Sequence, residues 1–243
     1  MSGQPDIALV LGARNLGGAI ARRLLDGGWQ VAAVARSDDT LASVRELGAL
    51  AISADAAEPA GLEEAVTRTR DELGAPTLLV NAVSAARPPE GETSFGGGPM
   101  ADATVEGFRG WASAVAEQAF VFLSGGTRAL RAAGGGTMIQ VTGGSARRAI
   151  PGRGPWAAGA FATRALVQAA AQELREEGIH VALLVVDATI ESPRTDLFTR
   201  DQPREALADM GDVAEAVVYL AGQGIRGMTH ELVITPAGDR WVP

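Results

Sequence analysis

Seven short apolar runs recur along the chain, at Ile7–Leu11, Gln30–Ala35, Leu50–Ala54, Thr77–Val80, Thr137–Thr142, His180–Val186 and Glu231–Ile234. None alternates cleanly between apolar and polar residues. Runs of this kind predict strands buried on both faces, as in a parallel sheet. Helical stretches separate them, over Leu16–Asp26, Leu41–Leu47, Ala60–Leu73, Ala101–Ala132, Pro155–Glu177 and Asp212–Ala221. Strand–helix alternation predicts repeated βαβ units, and so an α/β fold built on a doubly wound sheet. No composition shift or internal repeat divides residues 1–243, which are read as one domain.

Two stretches break the rhythm. Ser84 to Pro99, "SAARPPEGETSFGGGP", follows the fourth strand, and Ala188 to Met210 follows the sixth. Both leave the sheet at the end where ligands bind, so they are candidate substrate walls or lids, with a plain surface loop as the alternative.

Composition narrows the function. The net charge of −8 argues against a nucleic-acid partner and against an anionic membrane surface. The chain has no cysteine, so no thiolate nucleophile or zinc–thiolate site is expected, and its two histidines, far apart in sequence, argue against a histidine-based metal site. The start, "MSGQPDIALVLG", lacks a basic segment followed by a long apolar run, so no signal peptide is expected and the expected location is cytoplasmic. All basic residues besides histidine are arginine; the chain contains no lysine and a single tyrosine, Tyr219.

"ALVLGARNLGGAIARRLL" joins the first strand to the first helix. Small residues there permit a tight turn and close helix–strand contact, and the helix N-terminus offers free N–H groups to a phosphate. Gly12, Arg14, Asn15 and Gly17 are therefore candidate cofactor-binding residues in a Rossmann-type sheet of about seven parallel strands. The second strand ends "VAAVARS". An acid at that point would hold ribose hydroxyls. Arg36 stands there instead, and with Arg14 it suits a 2′-phosphate, favouring NADP(H) over NAD(H).

"GARNLGGAIARRL", "ISADAAEP", "LLVNA", "GGGTMIQVTGG" and "AAAQELREEGIHVALLVVD" together resemble the short-chain dehydrogenase/reductase family, in the expected order over nearly the whole chain. The resemblance implies that Asp55 contacts adenine, that Asn81 to Val83 lie beside the nicotinamide ribose, and that Ile190 supports the nicotinamide carboxamide. It places Leu11 and Asn15 in the first and middle positions of the glycine triplet. The stretch after the sixth strand reads "DATI", Asp187 to Ile190, where the family has "PG".

The family's carbonyl–alcohol chemistry uses a tyrosine as proton donor, a lysine four residues later, a serine on the preceding loop and an asparagine on the preceding helix. Counting back from "GIHV" puts Trp156 in the tyrosine place, Ala160 in the lysine place, Gly143 or Gly144 in the serine place and the asparagine place near Val115. Arginine does not substitute cleanly for the lysine, and an indole is no acid or base.

Candidates for chemistry are then Ser145, with Thr142, as donors to a substrate oxygen; Arg147 and Arg148, with Arg153, as a grip for a carboxylate, enolate or phosphate; and Trp156 as an aromatic wall. Each has a bland alternative: loop capping, a solvated basic loop, and packing. Asp187 reads as a turn residue ahead of a general base, His180 as core, and His230 as structural or interfacial. Two functions remain open. One is an enzyme acting on a small molecule without the tyrosine–lysine relay, by a redox step or by a non-redox cyclisation, isomerisation or elimination. The other is a catalytically silent nucleotide-binding or partner subunit. The two long helices after the fourth and fifth strands are Ala-rich, so a homodimer or homotetramer is expected.

Overall fold

A computed structural model describes residues 6–91, 94–192 and 195–238. The strands are β1 (Ile7–Leu11), β2 (Gln30–Ala35), β3 (Leu50–Ser53), β4 (Leu78–Asn81), β5 (Gly136–Gly143), β6 (Ile179–Val186), β7 (Thr189–Ile190), β8 (Leu207–Ala208) and β9 (Glu231–Ile234). The helices are α1 (Leu16–Asp26), α2 (Asp38–Glu46), α3 (Pro59–Glu72), α4 (Val105–Phe108), α5 (Ala114–Ala133), α6 (Gly154–Leu174), α7 (Asp196–Thr199) and α8 (Met210–Ala221).

Seven strands form one parallel sheet in the order β3-β2-β1-β4-β5-β6-β9. The chain builds outward from β1 to β3, then returns to β4 on the far side of β1. Between β1 and β4 the winding reverses, and a crevice opens at that switch point. The sequence pattern follows from burial. All eight residues of β6 are buried, so no polar alternation survives there. Successive side chains point to opposite faces. Ala8 and Val10 pack with Leu16, Ile20 and Leu24 of α1 and Val213, Val217 and Leu220 of α8. Leu9 and Leu11 pack on the other face with Leu62 of α3, Phe122 and Leu130 of α5 and Val167 of α6. Among the described residues, no helix is long and apolar enough to cross a membrane.

Three stretches differ most from the sequence expectation. Helix α2 begins at Asp38 rather than Leu41, because Asp38 and Asp39 form a polar first turn after Ser37. Charge there favours the helix N-terminus although it faces water. The helix expected over Ala101–Ala132 begins at Val105, where the Thr104 hydroxyl caps the Gly107 N–H at 2.9 Å. A π-helical turn, Arg109–Ser113, then joins α4 to α5. At this turn the Gly110 carbonyl accepts the Arg87 N–H at 2.8 Å, so the loop after β4 docks on the widened turn. The Ala188–Met210 stretch carries structure of its own: β7 and β8 pair in parallel, with α7 between them.

Candidate active site

A groove of about 480 Å³ runs along the carboxyl edge of the sheet. Gly12 after β1, Ala35 and Arg36 at the end of β2, Asp55 after β3, Ala82 and Val83 after β4, Thr142 and Gly143 of β5, and Ala188 after β6 all line it. Every strand from β1 to β6 thus contributes its C-terminal end, as ligand crevices in open α/β sheets require.

The glycine turn is built for close backbone approach. Gly12 has φ +84°, and a Cβ there would lie 2.9 Å from the Ala82 backbone. A Cβ on Gly17 would lie 2.2 Å from the Gly12 carbonyl oxygen, so Gly17 closes the turn from behind and does not line the groove. Asn15 precedes α1 with φ 55°, a region that Asn tolerates better than most residues, and its side chain makes no cap hydrogen bond. The first N–H groups of α1 therefore remain available beside the groove.

At the outer end the structure brings together residues that the sequence suggested separately. Arg36 Nη1 lies 3.2 Å from Asp55 Oδ2. The opposite carboxylate oxygen accepts the Ala57 N–H at 3.1 Å and lies 3.9 Å from Arg87. Arg14 lines the same groove and has no ion-pair partner among the described residues. Sequence reasoning missed Arg87, whose place depends on how the loop after β4 docks.

At the inner end the wall is formed by Trp156, with Val115, Thr163 and Ile190. Phe95 and Trp111 pack against Trp156, with ring centroids 5.6 and 5.9 Å away, and Arg153 stacks on Phe95 at 5.1 Å. The Ile190 carbonyl accepts the Thr195 hydroxyl at 2.6 Å, fixing that side of the groove. Ala160 is 1% exposed on the same helix as Trp156.

Several suggested residues stand elsewhere. Asn81 is fully buried behind the groove wall, bonded to Gln118 and Gln140 and not facing the groove. Ser145 sits in the short turn Gly144–Ala146, outside the groove lining. The arginines after β5 do not converge. Arg147 pairs with Glu231 at 2.7 Å, and Arg164 pairs with the same carboxylate at 2.8 Å. Arg148 lies 3.3 Å from Asp187. Neither Arg147 nor Arg148 lines the groove, because β9 and the end of β6 present these carboxylates to them. Tyr219 is exposed on α8, away from the groove. Of the missed residues Gln118 and Gln140, only Gln140 carried a weak signal, as a lone amide between Ile139 and Val141 in an apolar run.

Fold and crevice together define a Rossmann-type α/β protein with a ligand groove at the switch point of its sheet. Residues 10–238 match the profile of the family described as enoyl-(acyl carrier protein) reductase, and the chain belongs to the short-chain dehydrogenase/reductase family. Similar solved structures include an alcohol dehydrogenase from the archaeon Thermococcus sibiricus complexed with 5-hydroxy-NADP, at 22% identity, 99% of this chain, 100% of that chain and TM-score 0.78. An acetoin dehydrogenase from Enterobacter cloacae matches at 20% identity, 100% of both chains and TM-score 0.79. A variant of actinorhodin polyketide ketoreductase with NADPH matches at 22% identity, 98% of both chains and TM-score 0.77. No curated protein matches the sequence.

Proposed function

We propose that the protein binds NADP(H) and acts on a small molecule without the tyrosine–lysine proton relay of its family. The cradle supports the first half. Gly12 leaves no room for a Cβ, and the uncapped start of α1 offers N–H groups to a pyrophosphate. Arg14 and Arg36 supply guanidinium forks where a 2′-phosphate would lie. Three solved relatives hold NADP, NADPH or 5-hydroxy-NADP.

One observation carries the second half. Counted back from "GIHV", Trp156 and Ala160 fall at the relay positions that the family resemblance implies, and the chain has no lysine. Among the described residues lining the groove, the ionisable side chains are Arg14, Arg36, Asp55 and Arg87, none of them at the Trp156 end. Bound NADPH supplies a hydride. The chain's own residues at that end supply an apolar wall and neutral hydrogen-bonding groups, and any proton comes from substrate or water. The same environment suits a non-redox cyclisation, isomerisation or elimination. It also favours the second reading, a silent nucleotide-binding subunit, because a site without an acid or base need not turn over.

A homodimer or homotetramer through α5 and α6 is part of the proposal. It is supported by Phe120 and Phe161, exposed at 58% and 42% on those two helices.

The test is reduction of a panel of simple ketones by purified protein with NADPH. Loss of general acid help is worth about 10²–10⁴-fold, so turnover is expected to be very slow or absent while NADPH still binds. Brisk reduction of simple ketones would overturn the reading, since some other residue would then be supplying the proton.

A further inference from the structure

Two carboxamides, on Gln118 and Gln140, line the inner end of the groove and a third, on Asn81, lies behind them; they are 3%, 4% and 0% exposed. Fixed backbone groups dictate their orientation. Asn81 Oδ1 accepts the Val83 N–H at 3.2 Å. Its Nδ2 therefore faces the other way and donates to Gln118 Oε1 at 2.9 Å and to Gln140 Oε1 at 2.7 Å. Gln118 Nε2 donates back to Asn81 Oδ1 at 3.1 Å, closing an amide pair. At the other end Gln140 Nε2 donates to the Val141 carbonyl at 2.8 Å.

Each amide nitrogen carries two hydrogens. Both of those on Asn81 are used. Gln118 and Gln140 each keep one N–H with no acceptor among the described residues. Both glutamines line the groove, whereas Asn81 does not. A buried N–H without a protein acceptor is costly unless a ligand or water takes it. Thr163 reaches the same end, but its hydroxyl donates to the Gly159 carbonyl at 3.0 Å.

We propose that Gln118 and Gln140 form a neutral two-donor pocket for the oxygen of a planar carbonyl, enolate or phenolate substrate, with Trp156 beside its ring. This rests on reading the groove as the small-molecule site. Asn81 is then a positioning residue, because it locks both donors. Preorganised N–H donors stabilise negative charge on an oxygen without transferring a proton. That is the electrostatic help open to a site with no acid.

Para-nitrophenol is the probe, since it is flat and its anion is coloured. Binding is titrated across its ionisation, with and without saturating NADPH. The donors are expected to bind phenolate about tenfold more tightly than phenol, one unit of pKa. Gln118→Met or Gln140→Met removes most of this preference and leaves NADPH affinity unchanged. Equal affinity for phenol and phenolate in the unaltered protein overturns the proposal, whether or not the variants fold. A preference that survives both substitutions belongs to the arginines and also overturns it. So does a loss of NADPH affinity with the preference intact, which would give the donors to the cofactor. A glutamine-dependent preference in a protein that binds no NADPH supports the pocket and sinks the cofactor reading alone.

Discussion

Replacing Arg36 with Ala tests the cofactor end most directly. Arg36 sits at the end of β2 and pairs with Asp55 at 3.2 Å, the two side chains being 62% and 36% exposed. An exposed pair of this kind is worth about 0–1 kcal/mol. A charge-assisted contact to phosphate is worth about 1.5–3 kcal/mol. Exchange of Asp55 for a 2′-phosphate therefore gains about 0.5–3 kcal/mol, a range that includes a tenfold change in affinity at about 1.4 kcal/mol. Arg36→Ala removes that gain and leaves Asp55 with the Ala57 N–H at 3.1 Å and the longer Arg87 contact at 3.9 Å. The expected result is a preference for NADPH over NADH that shrinks about tenfold, with NADH affinity little changed. Calorimetry with both nucleotides measures it. Added salt narrows the gap in the unaltered protein, because the contact is exposed. An unchanged preference in the variant would refute the reasoning, since the phosphate would then lie elsewhere. Equal affinities in the unaltered protein would do the same.

Arg147→Ala is expected to cost about 1–2 kcal/mol of stability, because it breaks a half-buried charge-assisted bond while leaving NADPH affinity intact; a loss of groove binding without a fall in Tm would return Arg147 to the site. Burial holds the His180 imidazole below its ordinary pKa, against the opposing pull of its bond to the Thr229 carbonyl. The unfolded chain then binds that proton more readily, so this contribution to stability is complete above about pH 6.5 and lost as the pH falls below it. Thermal melts of the unaltered protein and His180→Gln should diverge in that window, and parallel curves would exclude the imidazole as the cause. Phe161→Glu should shift the mass measured by light scattering to that of a single chain; an unchanged oligomer would place the interface away from α6.

Local pattern made much of this molecule legible. Burial on both faces strips a parallel strand of polar alternation, so β1, β2, β6 and β9 lie within a residue of their expected bounds. The turn after β1 was equally plain, because close backbone approach admits only small residues. Helix starts were less visible where they carry polar residues, as at Asp38, or where a loop docks on them, as at Gly110. Distant partners were not visible at all. Arg147 stands 84 residues before Glu231, and Asn81 reaches Gln118 and Gln140 across 37 and 59 residues. A charged or amide side chain announces that it needs a partner, but sheet order decides which one arrives. That order placed Glu231 beside Arg147 and Asp187 beside Arg148, so the basic run after β5 faces carboxylates and not the groove. It also set two glutamines, Gln118 and Gln140, in the lining of the same groove as Trp156, a placement no local pattern announces.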